Sequence, residues 1–159
     1  MNIMPCPKGW FLILVLCLIT IQGAYAAPSG GPFQGTFKGT AIGDQGSSAP
    51  LALNLLQNGS IVTGTAAVGD GIEVDTGGFV CPGLVSVPSG AIGVTGIVSG
   101  QDPRHLEAQS SLSASGLTIT AEVLADLSAD YNTMNIQLKL NIPWPCHGTT
   151  IKGTLTRSS

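Results

Sequence analysis

Residues Thr133–Ile142 read Thr-Met-Asn-Ile-Gln-Leu-Lys-Leu-Asn-Ile, the most regular alternation of apolar and polar side chains in the chain. Successive side chains of a β-strand point to opposite faces, so the apolar members of this stretch share one face and the polar members share the other. The pattern predicts an antiparallel strand with one buried face and one face in water.

The same period of two recurs along the chain between regularly spaced turn signals. Leu51, Leu53 and Leu55 share one face of another predicted strand, and Leu117–Ala125 alternates in the same way. Asn58-Gly59 predicts a two-residue hairpin turn. Residues 121–127 are the most helix-like stretch, but the threonine-rich flank and the preceding Ser115-Gly116 favour a strand. We count eight or nine strands and no sustained helical period.

A short motif, an apolar residue followed two positions later by glycine, recurs through the chain. Its copies are Phe37-Lys38-Gly39, Val62-Thr63-Gly64, Val94-Thr95-Gly96 and Ile151-Lys152-Gly153. Each glycine falls on the same face as its apolar partner, which predicts glycines on the buried face. Such glycines suit a sheet that coils sharply enough to close. We therefore predict an all-β fold, a single antiparallel up-and-down (meander) barrel of about eight strands.

The first 26 residues have the features of a signal peptide. An apolar run from Trp10 to Ile19 ends in Ala24-Tyr25-Ala26, the small-x-small pattern that precedes a cleavage site. The run is shorter than the about 20 residues that span a bilayer. We predict a signal peptide at 1–26, a short linker at 27–32 and the barrel domain at 33–159. The protein is then secreted or periplasmic, with no stable membrane span after cleavage; an uncut anchor is the alternative.

Two cysteines, Cys81 and Cys146, remain after the predicted cleavage, and both lie beside prolines and glycines. In an exported domain, such a pair is most simply a disulfide. A zinc or copper site built from this pair, His147 and His105 is the alternative, but no C-x-x-C or H-x-x-x-H spacing supports it. We predict a disulfide and no metal site.

Composition excludes several function classes. Only 9% of the residues are charged and the formal net charge is −3, which argues against nucleic acid as a partner. No Gly-x-Ser-x-Gly motif occurs, and His105 and His147 are the only histidines. Asp70, Glu73 and Asp75 could hold calcium, but their spacing matches no known calcium loop. We expect no catalytic residues, no cofactor and no enzymatic activity.

The opening of the predicted barrel resembles that of exported meander barrels. Gly35-Thr36-Phe37, Asn58-Gly59-Ser60 and Val62-Thr63-Gly64-Thr65 are similar to the first hairpin of lipocalin-like and avidin-like proteins. The resemblance covers residues 33–68, with an echo at 149–156, and implies a small closed barrel. Phe37 stands where the lipocalins' Gly-x-Trp signature has Trp, and Trp144 is the one tryptophan outside the predicted signal peptide.

Three function hypotheses follow. The first is an exported, non-enzymatic binding protein with a small apolar molecule inside the barrel, which Met134, Ile136, Leu138 and Leu140 would face. The second is a protein-interaction module, such as an inhibitor of a secreted enzyme or an envelope component, with loops carrying Phe79, Trp144 and His147. An enzyme on the barrel scaffold, with His105 and His147 as its only obvious bases, is a third hypothesis. An outer-membrane barrel is the physical alternative, but aromatics are only 5% of the chain. A cavity favours the first hypothesis and a filled core favours the second.

Overall fold

Eight strands close into a barrel in the computed structural model, which describes residues 30–77, 80–114 and 117–158. The predicted signal peptide, the start of the linker and Phe79 lie outside the described residues. In chain order the strands are β1 (Gly35–Ile42), β2 (Ser48–Asn58), β3 (Ile61–Val68), β4 (Glu73–Asp75), β5 (Leu84–Ser86), β6 (Gly90–Val98), β7 (His105–Ala114), β8 (Leu117–Leu127), β9 (Thr133–Asn141) and β10 (Thr150–Ser158). A 3₁₀ turn, Asp44–Gly46, connects β1 to β2.

The barrel is an antiparallel meander in which each barrel strand pairs with the barrel strands before and after it in the chain. The order around the barrel is β1, β10, β9, β8, β7, β6, β3, β2, and β2 pairs with β1 to close it. β4 and β5 form a separate two-stranded ribbon between β3 and β6. The predicted all-β meander barrel is confirmed.

The alternating stretch that predicted the fold is β9. Met134, Ile136 and Leu140 are buried, whereas Asn135 and Gln137 are exposed. The helix-like residues 121–127 lie within β8 and follow the same alternation, with inward alanines at Ala121 and Ala125.

The repeated glycines face inward, as the motif predicted. A Cβ atom on Gly64 would lie 2.0 Å from the carbonyl oxygen of Asn54, and one on Gly39 would lie 2.1 Å from that of Thr154. No side chain fits at such distances, so the glycines permit a closer approach of neighbouring backbones than any other residue would. This approach accompanies the coiling that closes the sheet.

The hairpin between β2 and β3 forms one position later than predicted. Asn58 pairs with Ile61, so the two turn residues are Gly59 and Ser60 rather than Asn58 and Gly59. Gly59 has a φ of 60°, while Asn58 stays in the strand. A single left-handed glycine at the first turn position is the arrangement of a type II′ turn, which needs no positive φ at asparagine.

One end of the barrel is closed by aromatic side chains and an arginine. Phe33 and Phe37 are fully buried, and the Arg157 guanidinium lies 4.4 Å from the centre of the Phe37 ring. The guanidinium donates hydrogen bonds to the carbonyl oxygens of Pro32 at 2.6 Å, Tyr131 at 3.0 Å and Gln34. We call this closed end the base; any opening for a ligand must lie elsewhere.

Candidate functional site

A cavity of about 410 Å³ lies inside the barrel, beyond the base. All eight barrel strands contribute to its wall, and most of the lining residues are aliphatic. Small side chains, including Ala66, Ala108, Ala121 and Ala125, occupy inward positions where larger residues would fill the space. The hollow interior is therefore a consequence of alanine at core positions.

The four side chains predicted to face a ligand all line this cavity. Met134, Ile136, Leu138 and Leu140 follow one another along β9, and the leucines of β2 also line the cavity. No ligand is present, so their contact with one stays a prediction. The structure brings them together on one wall because each is two positions from the next on a single strand.

The buried polar side chains of the wall, Thr76 and Ser110, are hydrogen-bonded within the protein. The Ser110 hydroxyl donates to the Gly93 carbonyl at 2.8 Å, and the Thr76 hydroxyl donates to the Gly83 carbonyl at 3.0 Å. No charged residue lines the cavity, and within the described ranges no buried side-chain nitrogen or oxygen lacks a hydrogen-bond partner. The wall consequently offers a guest apolar contact and shape rather than hydrogen bonds.

The β4–β5 ribbon lies over the end of the cavity opposite the base. Ile72, Val74 and Thr76 are buried, and all three line the cavity, as do Val85 and Val87 on the other half of the ribbon. We call residues 72–87, with the exception of those not described, the lid ribbon. The alternation Ile72-x-Val74-x-Thr76 is the sequence signal for this element, which was not among the strands singled out from the sequence.

Two kinds of contact fasten the lid ribbon to the loop between β9 and β10. Cys81 and Cys146 form the predicted disulfide, with their Cα atoms 5.6 Å apart. Beside it, the His147 amide donates to the Thr76 carbonyl at 2.7 Å. The disulfide prediction is confirmed, and the bridge is part of the cavity mouth because Cys146 lines the cavity.

The carboxylate of Asp44 attaches the lid ribbon at another place. Oδ2 of Asp44 accepts hydrogen bonds from the Asp75 amide and from the Thr149 hydroxyl, both at 2.7 Å. These hydrogen bonds hold the pKa of Asp44 below its ordinary value, because they stabilise the charged carboxylate. Ser47 adds to the attachment, since its hydroxyl accepts from the Glu73 amide at 2.9 Å. The lid ribbon is thus joined to the β1–β2 connection and the β9–β10 loop.

The barrel wall is loosely paired on one side of the mouth. The ladder between β6 and β7 joins Thr95–Val98 to residues 106–109, although both strands continue beyond it toward the lid ribbon. There the Ser110–Gly93 hydrogen bond connects the strands, and the cavity lining extends to Gly90, Ala91 and Ile92. This β6–β7 seam borders the mouth.

The other residues considered from the sequence do not form a second site. His105 lies at the start of β7, near the base, and its Nδ1 is 2.7 Å from Asp126 Oδ1. That hydrogen bond raises the pKa of His105, chiefly because Asp126 stabilises the imidazolium. His147 lies at the opposite end of the barrel, and the described residues contain no cluster of three or more His, Cys, Asp or Glu side chains able to hold a metal ion. Asp70, Glu73 and Asp75 therefore do not converge.

Comparison with known proteins gives a structural likeness only. No family model matches the chain, and no curated protein matches it. A redesigned β-barrel, b11L5F_LGL, superposes with a TM-score of 0.52 at 14% identity, over 80% of this chain and 93% of that one. EF1p2_mFAP2b, solved bound to DFHBI, superposes with a TM-score of 0.53 at 12% identity, over 85% of this chain and 99% of that one.

At these identities the likeness establishes a shared fold. It agrees with the small closed barrel that the resemblance to lipocalin-like and avidin-like proteins implied, at the level of architecture. No helix among the described residues is long and apolar enough to cross a membrane.

Proposed function

We propose that this protein is an exported, non-enzymatic carrier that holds one small apolar molecule inside its barrel. The observation that carries the proposal is the cavity of about 410 Å³, whose wall is mostly aliphatic and whose buried polar side chains are already hydrogen-bonded. Ligand pockets in proteins commonly measure about 300–1,000 Å³. A polar or charged guest would lose its hydration without gaining a partner in this wall, so the cavity selects uncharged, apolar molecules.

The alternative of an interaction module has weaker support. A filled core with binding residues on the loops would favour that hypothesis, whereas small core residues such as Ala121 and Ala125 leave this interior hollow. The neighbour EF1p2_mFAP2b was solved bound to DFHBI, which is an example of a bound small molecule on this architecture. Both points favour the carrier.

Binding of a neutral fluorescent dye tests the proposal. N-phenyl-1-naphthylamine should give a saturable fluorescence gain with one site per chain. Ala121→Phe places a ring in the cavity, because Ala121 is buried on its wall, and should weaken dye binding at least about tenfold. Ala67→Phe is the matched control, since Ala67 is exposed on the outside of β3, and should leave dye affinity unchanged.

Circular dichroism of both variants checks that each retains the β-sheet signal. The absence of any saturable gain with the wild-type chain contradicts the proposal. So does equal weakening by Ala121→Phe and Ala67→Phe, which would place the dye on the outer surface.

Export is tested separately, at the N-terminus of the protein recovered from its producing cell. Mass spectrometry should find a chain that begins at Ala27 in the medium or the periplasm. An intact chain that keeps residues 1–26 in the cytoplasm contradicts export without affecting the cavity.

A further inference from the structure

We propose that the mouth of the barrel docks on an uncharged or zwitterionic lipid surface, from which the apolar ligand enters the cavity. The inference rests on the proposed carrier function and names the partner of the same site. It starts from exposed apolar side chains that the carrier function does not use.

Three large apolar residues project into water around the mouth. Trp144 is 91% exposed, Val80 is 70% exposed and Leu84 is 40% exposed. Each lies one or two positions from a residue of the cavity wall: Cys146, Pro82 and Val85, respectively. We call Val80, Leu84 and Trp144 the rim. Each rim residue is thus close in sequence to a residue that lines the cavity.

The rim is held in place by the fastenings of the lid ribbon. Val80 adjoins Cys81, and the disulfide places that residue 5.6 Å, between Cα atoms, from Cys146 in the loop that carries Trp144. Val80 and Trp144 therefore lie beside the two cysteines of one disulfide. Because the bridge fixes them together, little conformational entropy is lost when they enter an apolar phase.

Charge at this end of the barrel selects the kind of lipid surface. The connecting segments around the mouth, residues 43–47, 69–89 and 142–149, contain Asp44, Asp70, Glu73 and Asp75 and no lysine or arginine. An anionic bilayer would repel these carboxylates. The nearest lysines, Lys139 and Lys152, lie on the adjoining ends of β9 and β10, and Lys139 is 3.8 Å from Glu122. Tryptophan favours the headgroup level of a membrane, so the rim fits a neutral interface.

The barrel wall offers a comparison surface with similar exposure and no link to the cavity. Ile61 and Ile97 are opposite each other on β3 and β6, and both are more than half exposed. Neither lines the cavity. If exposed apolar area alone caused docking, this wall patch would serve as well as the rim.

The experiment uses a chain that begins at Ala27, which contains every described strand and both cysteines of the bridge. Trp144 is its one tryptophan, so tryptophan fluorescence reports on the rim directly. Phosphatidylcholine vesicles should shift the emission to shorter wavelength, and lipids brominated near the headgroup should quench it. Trp144→Ser should lower the amount of protein that sediments with vesicles at least about fivefold, whereas Ile97→Ser should not.

Replacing part of the phosphatidylcholine by phosphatidylglycerol should weaken the sedimentation at low salt. Equal loss in Trp144→Ser and Ile97→Ser, stronger binding to the anionic vesicles, or no binding to vesicles of either composition overturns the proposal. Trp144-dependent binding to an exported protein without vesicle binding also overturns it, in favour of a protein partner.

Dye binding measured in parallel separates this proposal from the carrier function. Dye uptake in solution with no vesicle binding defeats the docking alone. Vesicle binding through Trp144 without dye uptake supports the docking and defeats the carrier.

Discussion

Arg157 combines several contacts at the base that no other side chain could replace. Its guanidinium contacts the Phe37 ring and donates to three backbone carbonyls, which a planar fork of five N–H groups can reach at once. Arg157→Lys keeps the charge but leaves at least one of these carbonyls without its donor. We expect a loss of about 2 kcal/mol in the free energy of unfolding, measured by urea denaturation.

Arg104→Lys is the matched control for this change. Arg104 forms an exposed ion pair with Asp102, at 3.5 Å, and such pairs contribute little. Its replacement should change the free energy of unfolding by less than about 0.5 kcal/mol. Equal effects of the two substitutions would show that the base does not depend on the guanidinium fork.

The His105–Asp126 pair predicts a titration that can be followed at one residue. Asp126 raises the pKa of His105, mainly through the hydrogen bond of 2.7 Å. Asp126→Asn should therefore lower the pKa of His105, as read from its imidazole proton shifts by NMR. Glu107→Gln should lower it less, because Glu107 is 3.6 Å from the ring and acts through charge alone.

The same pair sets a pH dependence of stability. Since the pKa of His105 is raised in the folded state, its contribution is complete below the unfolded pKa of about 6.5 and is lost as the pH rises through the folded pKa. The difference in stability between the wild type and Asp126→Asn should shrink over that interval. A constant difference across it would mean that the aspartate acts through something other than the imidazolium.

At the scale of elements, the surroundings of each strand glycine predict whether a larger residue can replace it. Gly64→Ala would bring a Cβ to 2.0 Å from the Asn54 carbonyl oxygen, so β2 and β3 would have to separate. We expect a loss of about 2–3 kcal/mol in the free energy of unfolding, read from chemical denaturation. Gly93→Ala is the control: no atom lies within 4 Å of its added Cβ, and alanine there should be neutral or slightly stabilising.

Long alternating strands could be predicted from the sequence, and short or irregular ones could not. The strict alternation of ten residues in 133–142 predicts only a strand with one buried face. The four cavity-lining side chains of β9 follow directly from that prediction. The lid ribbon has strands of three residues each, so its short alternation, Ile72-x-Val74-x-Thr76, does not stand out from the surrounding loop residues. The single-position shift of the β2–β3 turn arose because Asn58-Gly59 and Gly59-Ser60 both place a glycine in the turn.

Contacts between distant residues account for the rest of what the sequence did not show. Arg157 donates to Pro32, which lies 125 positions away, and Asp44 accepts from Thr149, 105 positions away. Neither partner is marked by a local motif, because each pairing exists only after the barrel has closed. The cysteines were the exception, since only two of them remain after the predicted signal peptide and two cysteines allow one pairing.

At the scale of the whole molecule, the tightly packed base lies at one end of the barrel and the proposed entrance for a ligand lies at the other. Phe33, Phe37 and Arg157 close the base, so an entering molecule need not disturb the tightest packing of the core. The opposite end combines a ribbon of short strands, a disulfide and the β6–β7 seam. Motion should concentrate at this end, where fewer backbone hydrogen bonds join the elements.

The disulfide should therefore control both stability and ligand exchange. Replacing Cys81 and Cys146 together by alanine frees a loop of 65 residues, and the chain-entropy account predicts a loss of up to about 4 kcal/mol in the free energy of unfolding. The lid ribbon would then be held by the hydrogen bonds of Asp44, Ser47 and His147 and by the packing of its buried side chains. Dissociation of a cavity-bound dye, followed by stopped-flow fluorescence, should be faster than in the wild type.

Asp44→Asn provides the comparison that separates opening of the lid ribbon from general destabilisation. It weakens one set of hydrogen bonds but keeps the covalent bridge, so dye release should be accelerated less than in the double cysteine variant. If the cysteine variant loses stability while dye release keeps its wild-type rate, the ligand does not pass beneath the lid ribbon. The β6–β7 seam, where the Ser110–Gly93 hydrogen bond bridges the strands beyond the end of the ladder, would then be the route of exchange.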